Sequence, residues 1–130
     1  MSYDHKPNDE IEVRRIKASG HNVMMNRVDG SLALSRALGD LEYKDRADLG
    51  PKDQAVTAFP DIITRPRDEN DMFIILACDG IWDCLTNEAC IEKLNGKIQL
   101  LHPPDNKGDL ANPVEEMFNE ILAKYIGGDN

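Results

Sequence analysis

The stretch FIILACDGIWD, Phe73 to Asp83, constrains this chain more than any other. Phe73, Ile74, Ile75, Leu76, Ala77 and Cys78 have no polar face, and such a continuous apolar run predicts a β-strand covered on both faces. The run then ends in Asp79, Gly80, Trp82 and Asp83. A carboxylate where a strand leaves the core is costly to bury unless something cationic meets it. A metal ion, an arginine or a helix N-terminus would each serve.

With 130 residues, 41% hydrophobic and 30% charged, the chain has the size and composition of one globular domain. Lys and Arg number 15 against 24 Asp and Glu, a net charge of −9. Such an excess of carboxylates repels phosphate backbones and anionic lipid, so neither nucleic acid nor a membrane is an expected partner. Divalent cations suit it better. The 3 cysteines, Cys78, Cys84 and Cys90, form no C-x-x-C pair and fit neither a disulfide framework nor a four-cysteine zinc site. They are expected as small buried hydrophobes in a reducing compartment. With no signal-peptide core and no span-length apolar stretch, the expected address is the cytosol or the nucleus.

Along the chain, NDEIEVRRIKASG predicts a helix opened by acids, closed by Arg14, Arg15 and Lys17, and ended at Gly20. HNVMMNRV predicts one short strand followed by an Asp29-Gly30 turn, and SLALSRALGD fits neither helix nor strand cleanly. LEYKDRADLGPKDQ predicts an exposed loop. AVTAFP and DIITRP predict two strand pieces broken at Pro60. Thr86 is placed to cap a helix through Ile91 and Leu94. Asn112 as N-cap with Pro113 and Glu115 behind it opens a last helix, with Val114, Met117, Phe118, Ile121, Leu122 and Tyr125 on its apolar face and Gly127-Gly128 at its end. This order predicts an α+β layered fold, a sheet covered by helices. The chain stops soon after, at Asp129-Asn130, as though the domain were truncated.

Gly80 allows a sharp turn, so the carboxylates of Asp79 and Asp83 can aim at one spot outside the sheet. Mg²⁺ and Mn²⁺ take oxygen ligands of this kind and retain several waters. Two aspartates do not define a site, and D-G-x-x-D by itself fits a plain turn or helix cap with Asp83 solvated better than it fits a metal site. A second phosphate-chemistry pattern, that of the haloacid-dehalogenase-like phosphatases, places a nucleophilic aspartate two residues before the DG aspartate. Here that position is Ala77, which cannot form an aspartyl-phosphate.

Three blocks in order give the chain its resemblance. They are RVDGSLALSRALGDLEYK (Arg27 to Lys44), FPDIITRPRDENDMFIILACDGIWDCLTNEA (Phe59 to Ala89) and the terminal GGDN (Gly127 to Asn130). Together they resemble the second half of the catalytic domain of the metal-dependent protein serine/threonine phosphatases, the protein phosphatase 2C (PPM) family. The resemblance extends over nearly all of the chain beyond Met1–Pro7. It implies part of an α-β-β-α sandwich, two stacked antiparallel sheets flanked by helices, with a binuclear Mn²⁺ or Mg²⁺ centre in a cleft at one end. It further implies hydrolysis of phosphoserine and phosphothreonine in a protein substrate by a metal-activated water. By match, Asp79 and Asp129 would be ligands of the binuclear centre, and Asp83 would lie at a weaker, third metal position. Arg36 and Asp40, in SRALGD, would form a structural salt bridge or loop anchor. Trp82 would pack beside the site, and residues 41–54 correspond to the family's flap beside the cleft. His5, His21 and His102 fall in no matching block and are expected at the surface.

The family's D-G-H-G block, with a metal-bridging aspartate and a histidine proposed as general acid, is not found here, nor is the arginine that grips the substrate phosphate. No catalytic residue beyond the metal ligands is therefore assigned. The chain alone is expected to be weakly active or inactive, and its open sheet edges and apolar face are expected to drive self-association. A non-catalytic, pseudophosphatase-like binding module and an acidic structural domain are the alternatives. Mn²⁺ affinity separates the last from the other two.

Overall fold

The computed structural model describes residues 2–99 and 110–122. The chain divides into two units, Met1–Asp68 and Glu69–Asn130. The content is mixed, helices with one small antiparallel sheet of two strands among the described residues. No helix among them is long and apolar enough to cross a membrane.

The first unit is built on α1 (Glu10–Ala18), which forms where acids at Glu10 and Glu12 meet the N-terminal end of the helix dipole and Arg15 and Lys17 meet the C-terminal end. Its end is a Schellman motif: Gly20 N–H donates to Lys17 O and His21 N–H to Ile16 O, with Gly20 at φ +93°. A side chain at that φ would be strained, so glycine is required there. The chain then forms a hairpin, β1 (Val23–Met24) and β2 (Arg27–Val28), with Val23 opposite Val28 and Met24 opposite Arg27. The sequence pointed to one strand here. The turn is Met25-Asn26, both at positive φ (52° and 61°), as a type I′ hairpin needs. Met25 lacks the usual Asn or Gly signature, which hid the turn.

Ile16, Val28, Tyr43, Ala55 and Val56 form the core of this unit, with Val23, Leu32 and Ala37 packed against it. The strand expected at AVTAFP is reduced to a single parallel bridge between Arg36 and Thr57. DIITRP is likewise irregular: Pro60 just before it and Pro66 at its end each lack the N–H donor a ladder would use.

A buried ion cluster ties this unit together. Glu12 is 1% exposed, with Arg36 Nη2 at 2.6 Å from Oε1 and Arg15 Nη1 at 2.7 Å from Oε2. Arg15 also donates to the carbonyls of Ser35, Gln54 and Ala55. Arg36 reaches Asp61 Oδ1 at 2.9 Å and Phe59 O at 3.2 Å. Burial pushes the Glu12 carboxyl up, but hydrogen bonds from Arg36, Arg15 and Ser35 outweigh it and bring it down to about 2 from an ordinary 4.5.

The second unit packs α3 (Asn87–Gln99) against α4 (Ala111–Ile121). Thr86 Oγ1 accepts the Ala89 N–H at 3.2 Å, the expected cap of α3. For α4 the N-cap is Leu110 rather than Asn112, and Pro113 sits inside the first turn, where its missing N–H goes unneeded. Ile81, Cys90, Leu94 and Met117 are the core, supported by Phe73, Ile75, Trp82, Val114 and Ile121. Outside it, Lys97 pairs with Glu116 at 2.7 Å and Glu120 at 3.1 Å, and Lys93 pairs with Glu120.

The run Met72–Cys78 differs from expectation. It is extended but pairs in no ladder among the described residues, and it is covered on one side only. Phe73 and Ile75 pack on the helix cluster, while Ile74 is 74% and Leu76 93% exposed. Among the described residues of this unit the run packs on the helix cluster, and its alternate side chains Ile74 and Leu76 are left exposed on the other face. Cys78, at the end of the run, and Cys84, beyond it, are exposed, and Cys90 alone of the three is buried.

Two predictions follow from this packing. Glu12→Ala strands two guanidinium groups in a dry site and is expected to destabilise the chain by about 3–5 kcal/mol in denaturant melts. In the wild type, a carboxyl depressed on folding stabilises above its ordinary value, so on the order of 3 kcal/mol is lost as pH falls from about 4.5 towards 2. An acid-unfolding midpoint identical in wild type and Glu12→Gln would contradict this. At the hairpin, the double change Met25→Asn, Asn26→Gly relieves the left-handed methionine and should raise stability by about 1 kcal/mol. Unchanged denaturant midpoints would remove the strain argument.

Candidate functional site

The acid end of the apolar run turns at once into α2 (Asp79–Trp82), a single helical turn. Cys78, in extended conformation, is its N-cap, and its carbonyl accepts the N–H groups of Ile81 at 3.1 Å and Trp82 at 3.3 Å. Asp83 closes the turn, its N–H donating to Asp79 O at 2.8 Å. Residues four apart share a helix face, so the Asp79 and Asp83 carboxylates stand on the same side of α2. Both are exposed. Asp79 thus avoids the burial cost that the sequence suggested, and among the described residues its Oδ1 accepts only the local Gly80 N–H, at 3.0 Å. Gly80 lies within the helical turn and does not take up a left-handed conformation.

The residues between the two carboxylates hold the turn in place. Ile81 is buried in the helix cluster, and Trp82 packs against that cluster while its indole Nε1–H donates to Ala77 O at 2.8 Å. Beside the turn lies an open groove of about 440 Å³ lined by Cys78, Gly80, Ile81, Phe118, Ile121 and Leu122 among others. Its apolar walls suit side chains, not a phosphate.

Two carboxylates on one exposed face are hard oxygen donors, the kind Mg²⁺ and Mn²⁺ accept with several waters retained. Among the described residues no cluster of three or more His, Cys, Asp or Glu is placed to hold an ion. Asp129, the further ligand suggested by the resemblance, lies outside the described residues.

Arg36 and Asp40 belong to the first unit. Arg36 is engaged by Glu12 and Asp61. Asp40, at φ 48°, caps the 3₁₀ turn Leu41–Tyr43, its carbonyl accepting the Tyr43 N–H at 3.0 Å. Residues 41–54 are tied down more firmly than an open loop. The buried Gln54 side chain accepts the Arg46 N–H at 3.2 Å and donates to the carbonyls of Arg46 and Leu49. Arg46 reaches Ser19 O at 2.8 Å and pairs with Asp48.

Sequence reasoning passed over Glu12, Asp61 and His21. Glu12 read as a helix-opening acid, yet its partners are Arg15, three residues on, and Arg36, 24 positions away. His21 read as a surface residue, yet its side chain is 17% exposed and contacts Asp29 and Asp45.

Comparison with known proteins identifies the class. The family model described as "Protein phosphatase 2C" matches residues 1–111. The chain belongs to the protein phosphatase 2C family. Protein phosphatase 2C homolog 2 of Saccharomyces cerevisiae is 54% identical over 122 residues, 93% of this chain and 25% of that protein. The Schizosaccharomyces pombe protein of the same name is 53% identical over 92 residues, 71% of this chain and 25% of that protein. Protein phosphatase 1G of Bos taurus is 41% identical over 133 residues, 99% of this chain and 24% of that protein. This chain therefore spans about a quarter of these relatives. Among solved structures, a phosphatase from Toxoplasma gondii superposes with a TM-score of 0.72 at 30% identity, over 92% of this chain and 36% of that one.

The exposure of both carboxylates yields a stability prediction. Asp79→Asn and Asp83→Asn should each change unfolding free energy by no more than about 0.5 kcal/mol. Met117→Ala, deleting a side chain that is 3% exposed, should cost about 2–5 kcal/mol. Equal losses in all three, measured by urea denaturation, would mean the carboxylates carry structural weight.

Proposed function

We propose that this chain is part of a metal-dependent protein serine/threonine phosphatase. The observation that carries the proposal is the family match over residues 1–111, which includes the turn bearing Asp79 and Asp83. Mn²⁺ or Mg²⁺, when bound, would supply Lewis acidity towards a phosphoryl oxygen and lower the pKa of a water nucleophile. Asp79 is the first ligand of that centre, Asp129 a second, and Asp83 the ligand of a weaker, third position. This chain's own work is to hold the carboxylates: Ile81 anchors the turn from within and Trp82 fastens it to Ala77, so Asp79 and Asp83 stay presented outward.

In the whole protein the hairpin and the extended run become parts of a two-sheet sandwich flanked by helices. Residues 41–54 form a flap beside its cleft, and a phosphorylated protein is the substrate. We place the protein in the cytosol or nucleus. The outward row Met72, Ile74 and Leu76, exposed in this unit, supports self-association of the isolated chain.

The test pairs binding with turnover. Mn²⁺ titration of the chain, followed by electron paramagnetic resonance, is expected to show weak binding that falls by about tenfold or more in Asp79→Asn. Hydrolysis of p-nitrophenyl phosphate by the same chain is expected to be slight, because these 130 residues hold no D-G-H-G block. Mn²⁺ binding indifferent to both Asp79→Asn and Asp83→Asn would overturn the ligand assignment and favour the acidic structural domain. Brisk, Asp79-dependent turnover would show that the chain completes the centre from its own residues.

A further inference from the structure

His21 stands at the end of the Schellman turn after α1 and is held from two sides. Its Nδ1 is 2.6 Å from Asp29 Oδ2, on the chain leaving the hairpin. Its Nε2 is 3.5 Å from Asp45 Oδ1, just after the 3₁₀ turn. The ring is tilted against Tyr43, with centroids 6.0 Å apart. Asp29 is fixed independently, since its Oδ1 accepts the Asn22 N–H at 2.9 Å and its own N–H donates to Asn22 O at 2.8 Å. Asp45 carries no such local lock among the described residues. Its side chain is 60% exposed and faces a ring nitrogen.

The chemistry of the imidazole makes these two contacts unequal. A neutral ring has one N–H donor and one bare acceptor nitrogen. With the short Asp29 contact claiming the N–H at Nδ1, a neutral His21 turns a lone pair at Nε2 towards the Asp45 carboxylate. Protonated His21 donates from both nitrogens and attracts both acids. We propose that His21 is a proton-operated clasp: charged, it bridges Asp29 and Asp45 and holds the leading part of segment 41–54 against the end of α1; neutral, it keeps Asp29 and releases Asp45.

The surrounding charges act in consistent directions. From the hairpin side the group facing His21 is Asp29; from the 43–48 side they are Tyr43, Asp45 and, behind it, the Arg46–Asp48 pair. Hydrogen bonding to Asp29 raises the His21 pKa above the ordinary 6.5, burial opposes this, and Asp45 adds to the rise. Asp29 is lowered in turn, mainly by His21. A group raised in the closed state stabilises it fully below its ordinary value and stops doing so as pH rises through the raised one. Arg46 keeps its bond to Ser19 O at every such pH. Release is therefore local, a loosening between the 3₁₀ turn and Arg46 rather than loss of the whole segment. Where residues 41–54 act as a flap, the clasp sets how its motion depends on pH; this last step rests on the function proposed above, and the clasp itself does not.

Two measurements on the whole chain test it without any assay of activity. The His21 imidazole is titrated by NMR, and exchange of the Lys44 and Arg46 amides, both hydrogen-bonded in the structure, is followed across the same pH range and corrected for intrinsic rates. The wild-type midpoint is expected above 6.5, and lower in Asp45→Asn. Linkage then requires corrected exchange to rise with pH by about tenfold for each unit separating the two midpoints. Asp45→Asn, at an exposed position, should exchange at the released rate throughout, and His21→Gln should remove the pH dependence. Flat corrected exchange in the wild type, or the same rise in His21→Gln, would overturn the clasp. So would an Asp45→Asn midpoint equal to that of the wild type.

Discussion

The first unit depends on one buried carboxylate. Taking Glu12 out of water costs several kcal/mol, and so does taking Arg15 and Arg36 most of the way with it. Mutual attraction offsets this only because the hydrogen-bonding groups are used. Arg36 meets both Glu12 oxygens, and Arg15 turns three further donors to the carbonyls of Ser35, Gln54 and Ala55. Those carbonyls come from segments with almost no sheet of their own. The cluster therefore does what a β-ladder does elsewhere: it fixes the register of residues 35–37 against 55–57, where a lone bridge joins Arg36 to Thr57. A hydrophobic replacement of similar volume could be as stable. It would not specify which carbonyl goes where.

This explains which parts of the fold were legible in the sequence. Helices α1, α3 and α4 carry their own signals, since the acids, the bases, Gly20, Thr86 and the apolar periodicity around Met117 all act within a few residues of where they sit. The hairpin was missed because Met25 occupies a left-handed position without the side chain that usually announces one. Glu12 was missed because its sequence neighbours show a surface helix, whereas its burial is decided by Arg36, 24 positions away. The pairing of the 41–54 segment with the end of α1 is similarly non-local. It is made by Arg46, Gln54 and His21, none of which is unusual in its own neighbourhood.

The apolar run shows the opposite limit. Phe73 to Cys78 is unambiguous about hydrophobicity but silent about which neighbours cover it. In this unit α3 and α4 supply one face, and Phe73 and Ile75 take it. Ile74 and Leu76 point away because a strand has two sides and the helices can reach only one. The same run in a larger sheet would bury all four.

That asymmetry bears on the carboxylates at its end. A rigidly covered strand was the expected reason for Asp79 to be well placed, yet here the strand is covered on one side only and Asp79 is still held. The holding is done after the strand, by α2. Ile81 fills the helix cluster, Trp82 bonds back to Ala77, and the Asp83 N–H closes the turn on Asp79 O. The residues with no oxygen ligands to offer thus fix the two that have them. A carboxylate presented in this way keeps its lone pairs in water, or gives them to a hard cation, and in neither case must the core bear an unpaired charge. An apolar strand can then end in acid without weakening the fold that carries it.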